Sequence, residues 1–259
     1  MSRSTATRTA TLSVAALGAC LALAVPVSAQ GGPGFLFGHP NVSIGFKGGY
    51  AMPRASGDVF NDLIGTDTLF TLDRDDFRGV SFGGEIAVRL TERWDVALGV
   101  AYAARRIQSE YVLYFDQDEN PIEQETSFRT VPVTVSGKYY LTDRGRSIGR
   151  FAWVPARLAP FVTGGVGIVA YRFEQTGDFI DFRDPEFMPI VFDRLTISGT
   201  APYVHAGAGV DLSLSKSFVL TGEARYGWAS GDPSRDFQGG YDNLDLAGLQ
   251  LQAGIAARF

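Results

Sequence analysis

Apolar side chains recur at every second position along most of this chain. The last eleven residues, 249–259, place Leu, Leu, Ala, Ile, Ala and Phe at odd positions and Gln, Gln, Gly, Ala and Arg at even ones. Because successive side chains of a β-strand point to opposite faces, this pattern predicts a strand with one apolar face. The alternation recurs in seven further segments, which are 42–50, 80–90, 94–102, 131–141, 160–173, 202–214 and 218–228.

The connections between these segments are alternately short and long. Tight turns occupy 91–93 and 215–216, and one longer connection, 142–158, falls on their side. Short turns at one end with long loops at the other are typical of a transmembrane barrel, and such long loops are unusual in a compact soluble domain. We therefore predict an all-β fold, an eight-stranded antiparallel transmembrane up-and-down β-barrel. The four long connections hold 22 of the 28 acidic residues and are 54–76, 106–126, 174–195 and 229–245.

The two faces of the predicted strands differ in a way that suggests which one meets lipid. One face carries large aliphatic residues and nearly all the aromatics, whereas the other is rich in Gly, Ala and Ser. Small residues fit the narrow interior of an eight-stranded barrel, so we expect Phe82, Leu98, Leu220 and Leu251 to point outward. A soluble lipocalin-like barrel is the alternative and requires them to point inward. Aromatics also mark the predicted strand ends, as two girdles: Trp94, Tyr139, Phe218 and Phe259 at the short-turn end, and Tyr50, Tyr102, Tyr226 and Trp228 at the long-loop end.

Composition excludes several classes of protein. A net charge of −5 without a basic block argues against nucleic-acid binding. One Cys and two His exclude an internal disulfide and a structural zinc site. Past the first 30 residues there is no apolar run near 18, so no helix of the remaining chain is predicted to span a bilayer. The near-neutral mean hydropathy of +0.03 is thus an average over an apolar strand face, a polar strand face and acidic loops.

The first 29 residues have the features of an export signal. Arg3 and Arg8 precede an apolar stretch, and small residues at 27–29 suit cleavage before Gln30. We predict a signal peptide over 1–29, a short N-terminal lead over 30–40 and an outer-membrane β-barrel domain over 41–259. An uncleaved N-terminal anchor and lipidation at Cys20 are the alternatives.

With these features the chain resembles the small eight-stranded outer-membrane β-barrels, the OmpA transmembrane-domain and OmpX-like group. The resemblance covers about 41–259 and rests on the ending LQLQAGIAARF, the segments PYVHAGAGVDLSL and GEARYGW, and Val131-Pro132-Val133. It implies the outer membrane of a diderm bacterium, contact with outer-membrane lipid and lipopolysaccharide, and a monomer. It also implies that the barrel assembly machinery and periplasmic chaperones act during biogenesis, and that the machinery reads Leu251, Ala253, Ile255, Ala257 and Phe259. Because no peptidoglycan-binding domain follows Phe259, a direct role in tethering the cell wall is not expected.

Ten charged residues fall on the predicted inner face, where unpaired burial would be costly. We expect ion pairs among them, and specifically a cross-strand pair between Arg89 and Asp95. Glu223 and Arg225 suggest either a gate in a narrow conduit or part of a structural plug, and a normally filled interior favours the plug. The ten are Lys47, Glu85, Arg89, Asp95, Arg105, Lys138, Asp211, Glu223, Arg225 and Arg258.

Little in the sequence points to catalysis or to a cofactor. His39 and His205 are the only histidines. His39 precedes the first predicted strand in a Gly- and Pro-rich lead, and His205, on the predicted inner face, has no Ser or Asp two residues away. Asp73, Asp75 and Asp76 are weak candidates for a divalent cation, since hard cations take carboxylate oxygens, but no EF-hand spacing supports them. We expect no enzyme and no cofactor, but a structural or surface-interaction role through acidic extracellular loops. A narrow channel for small solutes is the alternative.

Overall fold

A computed structural model describes residues 35–57, 59–61, 70–116, 118–180, 189–232 and 243–259. The predicted signal peptide lies outside these residues. Apart from helical residues at 59–61 and a 3-10 helix at Arg74–Phe77, the regular elements within them are strands. The strands are β1 (Leu36–Phe37), β2 (Val42–Pro53), β3 (Gly79–Arg89), β4 (Trp94–Phe115), β5 (Pro121–Tyr140), β6 (Gly145–Ile148), β7 (Ala152–Pro155), β8 (Leu158–Ile180), β9 (Ile190–Ser213), β10 (Phe218–Trp228), β11 (Ser230–Gly231), β12 (Leu244–Asp245) and β13 (Gly248–Arg258).

Eight of these strands close into a barrel. Going round the ring, the order is β2, β3, β4, β5, β8, β9, β10 and β13, and every neighbouring pair is antiparallel. The first and last barrel strands meet, with Gly48 opposite Ala253, so the sheet has no open edge at this height. The predicted fold class is thereby confirmed.

No helix within the described part of the chain is long and apolar enough to cross a membrane.

Four barrel strands project far beyond the other four. β4, β5, β8 and β9 have 22, 20, 23 and 24 residues, whereas β2, β3, β10 and β13 have 11 or 12. The assignment of 106–126 and 174–195 to loops was therefore wrong, because much of each segment continues a strand. The period of two persists there with the two faces exchanged: apolar side chains such as Phe128 and Phe173 point inward, and polar ones such as Glu123 and Asp178 point outward.

The projecting half encloses an aromatic core. Phe60 and Phe173 are 1% and 0% exposed, and Phe77 and Phe128 pack against Phe60 with ring centroids 5.1 and 5.9 Å away. Ile107, Tyr111, Tyr171, Ile197 and Tyr203 are buried in the same cluster. The expectation that nearly all aromatics lie on the outer face is corrected here, because in the projecting half the large apolar residues point inward.

A small sheet covers the opposite, short-turn end. β6 and β7, from the 142–158 connection, form a hairpin whose β7 pairs with β1 from the N-terminal lead. Trp153 is 3% exposed beneath the barrel, and the Arg258 guanidinium lies 5.2 Å from its ring centroid. We call β1, β6 and β7 the cap sheet.

Candidate functional site

The outer surface of the barrel is an apolar belt. Phe82, Leu98, Leu220 and Leu251 are 48%, 55%, 41% and 46% exposed, so all four point outward as predicted. Removing apolar surface from water stabilises a protein by about 25 cal/mol per Å². In water, the outward-facing side chains of the belt would not gain this stabilisation. The soluble lipocalin-like alternative, which needs these residues inside, does not fit this facing.

Aromatic rings lie at both margins of the belt. At the short-turn end, Trp94 and Tyr139 stack with centroids 5.0 Å apart, and Phe259 is 68% exposed. At the long-loop end, Tyr226 and Trp228 lie 4.9 Å apart. Rings with one apolar and one polar edge suit a membrane–water interface.

On β13, the proposed assembly signal follows the outer face. Leu251, Ala253, Ile255 and Phe259 are exposed there, and Ala257 is partly covered. The Phe259 N–H donates to the Val42 carbonyl at 2.9 Å, which fastens the chain end to β2.

The middle of the lumen holds four paired charges. Lys47 Nζ lies 2.8 Å from both Glu85 Oε2 and Glu223 Oε2. The Arg225 guanidinium lies 2.9 Å from Glu223 and 3.8 Å from Glu85. Their side chains are 1–16% exposed, and two cations balance two carboxylates. We call these residues the central cluster, and the structure brings them together from β2, β3 and β10.

A second group of charges lies nearer the short-turn end. Lys138 Nζ is 3.0 Å from Asp211 Oδ2, which also accepts the hydroxyl proton of Tyr140 at 2.7 Å. Thr221 donates to the other Asp211 oxygen at 2.7 Å. Lys138 also lies 3.8 Å above the ring centroid of Phe161. Asp211, on β9, thus accepts from donors on two other strands, β5 and β10.

The partner of Asp95 differs from the one that sequence reasoning assigned. Arg89 does occupy the position directly opposite Asp95. The ion pair nevertheless forms with Arg144, whose Nη1 lies 2.7 Å from Asp95 Oδ2, while Arg89 Nε donates to the Thr91 carbonyl. Arg144 lies 49 residues further along in the connection to the cap sheet, so no strand periodicity could have identified it.

Two further arginines are placed differently from the expected inner-face network. Arg105 is exposed, and its Nε donates to the Asp76 carbonyl at 2.9 Å. Arg258 donates to the carbonyls of Lys216 and Ser215 at 2.8 and 2.9 Å. Both arginines satisfy backbone acceptors at a rim of the barrel.

His205 has a contact that spacing along the chain could not show. Its Nε2 lies 3.1 Å from Ser136 Oγ, over Gly165 of the intervening strand β8, and the residue is 1% exposed. Its Nδ1 has no hydrogen-bond partner among the described residues. Among the described residues, His205 thus lacks the third group that orients the histidine of a catalytic triad. His39 lies outside the barrel, 3.3 Å from Ser147.

The three candidate metal-binding aspartates lie at the long-loop end and have other roles. Asp76 accepts the Asp73 backbone N–H at 2.9 Å, capping the 3-10 helix, and Asp75 pairs with Arg78 at 2.6 Å. Within the described ranges, no group of three His, Cys, Asp or Glu side chains is arranged to hold a metal ion.

Asp116 organises the tip between β4 and β5. Its carboxylate accepts backbone N–H groups from Asn120 at 2.7 Å and Asp118 at 2.9 Å. These N–H donors lower the pKa of Asp116 below its ordinary value, and the donor of Asn120 has the largest effect.

The lumen contains open space in three places. A cavity of about 60 Å³ lies above the cap sheet and is bounded by Arg89, Asp95, Asp211 and Trp153. A space of about 20 Å³ borders Lys47 and Arg225, and one of about 50 Å³ lies beneath Phe77 and Phe128.

Comparison with known proteins gives likeness of fold. No protein-family model matches the sequence, and no curated protein matches it. The chain is similar to neisserial surface protein A, at 11% identity and a TM-score of 0.47, over 84% of this chain and 96% of the other. It is similar to the outer membrane protein OprG from Pseudomonas aeruginosa, at 15% identity, a TM-score of 0.44, and coverage of 86% and 99%. It is also similar to Ail, the attachment invasion locus protein of Yersinia pestis, at 14% identity, a TM-score of 0.38, and coverage of 86% and 100%.

Proposed function

We propose that this chain is a bacterial outer-membrane β-barrel with a closed lumen, and that its projecting sheet serves a structural or surface-interaction role. The observation that carries the proposal is the packing of the barrel, with apolar side chains outside and paired charges inside. A bilayer has no water to satisfy backbone groups, so a closed barrel is one of the two structures that cross it. The belt between the two aromatic margins is the surface that lipid would cover.

Three layers obstruct the lumen along its axis. The aromatic core fills the projecting half, the central cluster lies in the middle, and Trp153 with Arg258 covers the short-turn end. Solutes crossing the barrel would have to displace all three. This supports a plugged barrel whose functional surface is the sheet of β4, β5, β8 and β9, exposed on the cell exterior.

The test combines insertion with conductance. The purified chain, refolded into phosphatidylcholine vesicles, should become resistant to protease across the belt, and the same preparation should produce no stable conductance steps in a planar bilayer. Failure to insert would overturn the membrane assignment, whereas regular salt-dependent steps would overturn the closed lumen.

A narrow channel for small solutes is the second candidate, and the three internal spaces favour it. Movement of the Arg225 side chain away from Glu223 is the change that would connect the central space to those on either side. If this candidate is correct, Glu223→Gln/Arg225→Gln raises conductance above that of the unmodified chain, and Arg146→Gln/Arg150→Gln at the cap sheet leaves it unchanged.

The route to the membrane is part of the same proposal. Residues 1–29 direct export and are removed, and the barrel assembly machinery reads the β13 pattern ending at Phe259, with periplasmic chaperones holding the unfolded chain. Outer-membrane lipid and lipopolysaccharide surround the folded monomer. Phe259→Ala should lower the amount of folded protein in outer-membrane fractions while the purified variant still refolds in detergent.

A further inference from the structure

The outer face of the projecting sheet carries arginines directly above the apolar belt. Val133 and Ile168 face each other in the belt and are 40% and 54% exposed. Two such rows further along β5 and β8, Arg129 and Arg172 are directly opposite one another, and both are exposed. At about 3.3 Å per residue, four residues separate these arginines from that apolar row by ~13 Å.

Two like charges in this position destabilise a sheet. Directly opposite Cβ atoms lie about 4.5–5.5 Å apart, and like charges there repel unless an anion lies between them. Glu174 accepts from Arg172 Nε at 2.9 Å, whereas Arg129 forms no ion pair with any described residue and only weakly attracts Glu174 through space. The Arg172 hydrogen bond also lowers the pKa of Glu174, which keeps that carboxylate ionised.

Two further arginines extend the same surface. Arg106 lies 3.3 Å from Glu125, and Arg194 lies 3.8 Å from Glu174. Four arginines against two glutamates leave an excess of two positive charges. We call Arg106, Arg129, Arg172 and Arg194 the arginine patch.

The position of the patch along the barrel is specific. The exposed charged residues of the outer face beyond it are acidic, namely Glu110, Glu123 and Asp178, and the exposed residue opposite Asp178 is the apolar Phe192. Positive charge is thus confined to a band between the apolar belt and an acidic tip. If the belt is covered by lipid, this band lies at the depth of the outer-leaflet headgroups.

We propose that the arginine patch binds the phosphate groups of an outer-leaflet glycolipid of the lipopolysaccharide type, whose acyl chains lie on the belt beneath. The proposal rests on the membrane insertion proposed above. Arginine presents a planar fork of donors that matches phosphate oxygens in a bidentate way, and all four cations of the patch are arginines. A phosphate between Arg129 and Arg172 removes their repulsion. Continuity with the apolar belt favours a lipid over a soluble polyanion.

The test measures lipid preference in nanodiscs of phosphatidylcholine containing bisphosphorylated lipid A. Binding of fluorescent lipid A to the inserted full chain is compared with binding of monophosphorylated lipid A. We expect the unmodified chain to prefer the bisphosphorylated form, and Arg129→Gln/Arg172→Gln to lower that affinity about tenfold, with Arg129→Lys/Arg172→Lys intermediate. The matched control, Arg146→Gln/Arg150→Gln, removes two exposed arginines from the cap sheet and should bind as the unmodified chain does.

Each contrary result has a distinct meaning. If the chain does not enter nanodiscs, the proposed function fails first. If it enters but Arg129→Gln/Arg172→Gln binds lipid A as tightly as the control variant, the site is refuted while the membrane assignment stands. Binding of a soluble sulfated polysaccharide as tight as that of lipid A would refute the lipid as occupant. Thermal unfolding of each variant in lipid-A-free nanodiscs shows whether it is folded.

Discussion

At the scale of single residues, Glu223 shows how this barrel carries charge in its interior. Its side chain is 1% exposed and lies between Lys47 at 2.8 Å and Arg225 at 2.9 Å. A buried charge is tolerated only when paired, and removal of one partner leaves an uncompensated charge. The central cluster is therefore sensitive to loss of any single member.

Lys47→Met should destabilise the barrel by about 3 kcal/mol, because it leaves two carboxylates with one arginine. Urea unfolding in detergent micelles measures the change. Lys47→Met/Glu223→Met should be less destabilised than the sum of its two single variants, since it removes the stranded carboxylate. Additive losses would show that these two side chains are not coupled.

The lowered pKa of Asp116 predicts that the local stability of the tip between β4 and β5 depends on pH. Its pKa is lowered in the folded state, so the hydrogen bonds it accepts contribute stability above its unfolded-state pKa and are lost as the pH falls through the folded-state value. Amide exchange at Asn120 should accelerate once the pH falls below the ordinary aspartate pKa, and Asp116→Ala should remove this dependence. A carboxyl titration midpoint above the ordinary aspartate value would contradict the assignment.

At the scale of elements, the same strands serve two environments. In the belt, β8 points Val166 outward at 61% exposure, whereas in the projection it points Phe173 inward at 0%. Side chains alternate in the same way along the whole of β8. In the belt the apolar side chains face outward, whereas in the projecting half they face inward. The two halves of β8 therefore depend on different interactions.

Phe173→Ala should cost about 3–5 kcal/mol in the projecting half, because it opens a cavity in the aromatic core. Hydrogen exchange of amides in 171–180 should accelerate while 162–166 remain protected, since regions of a protein can open separately. Val166→Ala, on the outer face of the same strand, is the control and should leave both regions unchanged. Equal acceleration in both regions would indicate that the projection does not open separately.

Sequence reasoning placed the eight strands correctly because the belt demands strict alternation of apolar and small side chains. It misjudged the upper halves of β4, β5, β8 and β9, where acidic outer-face residues such as Glu123 and Asp178 were taken to be loops. It placed Arg89 opposite Asp95 but not Arg144 beside it, since a residue from the cap connection reaches the lumen only after the barrel has closed.

At the scale of the whole molecule, the barrel is apolar around its middle, basic in a band at one margin of the projecting sheet, and acidic beyond it. Lipid would contact the apolar side chains of the middle, and water would solvate the acidic side chains of the tip. The energetic cost of a substitution therefore depends on its position along the strand as much as on whether its side chain points into or out of the barrel.

Leu98→Arg should oppose insertion by about 2–4 kcal/mol, the cost of a cation on the lipid face near the bilayer midplane. The reversible folding equilibrium in phosphatidylcholine vesicles measures it. Leu113→Arg, on the same strand but in the projecting half and 76% exposed, should cost less than about 1 kcal/mol. Equal costs for both variants would contradict the position of the belt.

The period of two, by itself, determined eight strands, their facing in the belt and the closed barrel, because strand geometry and a bilayer leave few other ways to satisfy such a chain. Only the tertiary structure decided which long connections continue as strands, which arginine reaches Asp95, and that Arg129 and Arg172 lie side by side. These features depend on register and closure, which bring together residues 40 or more positions apart. Local spacing carries no information about such pairings.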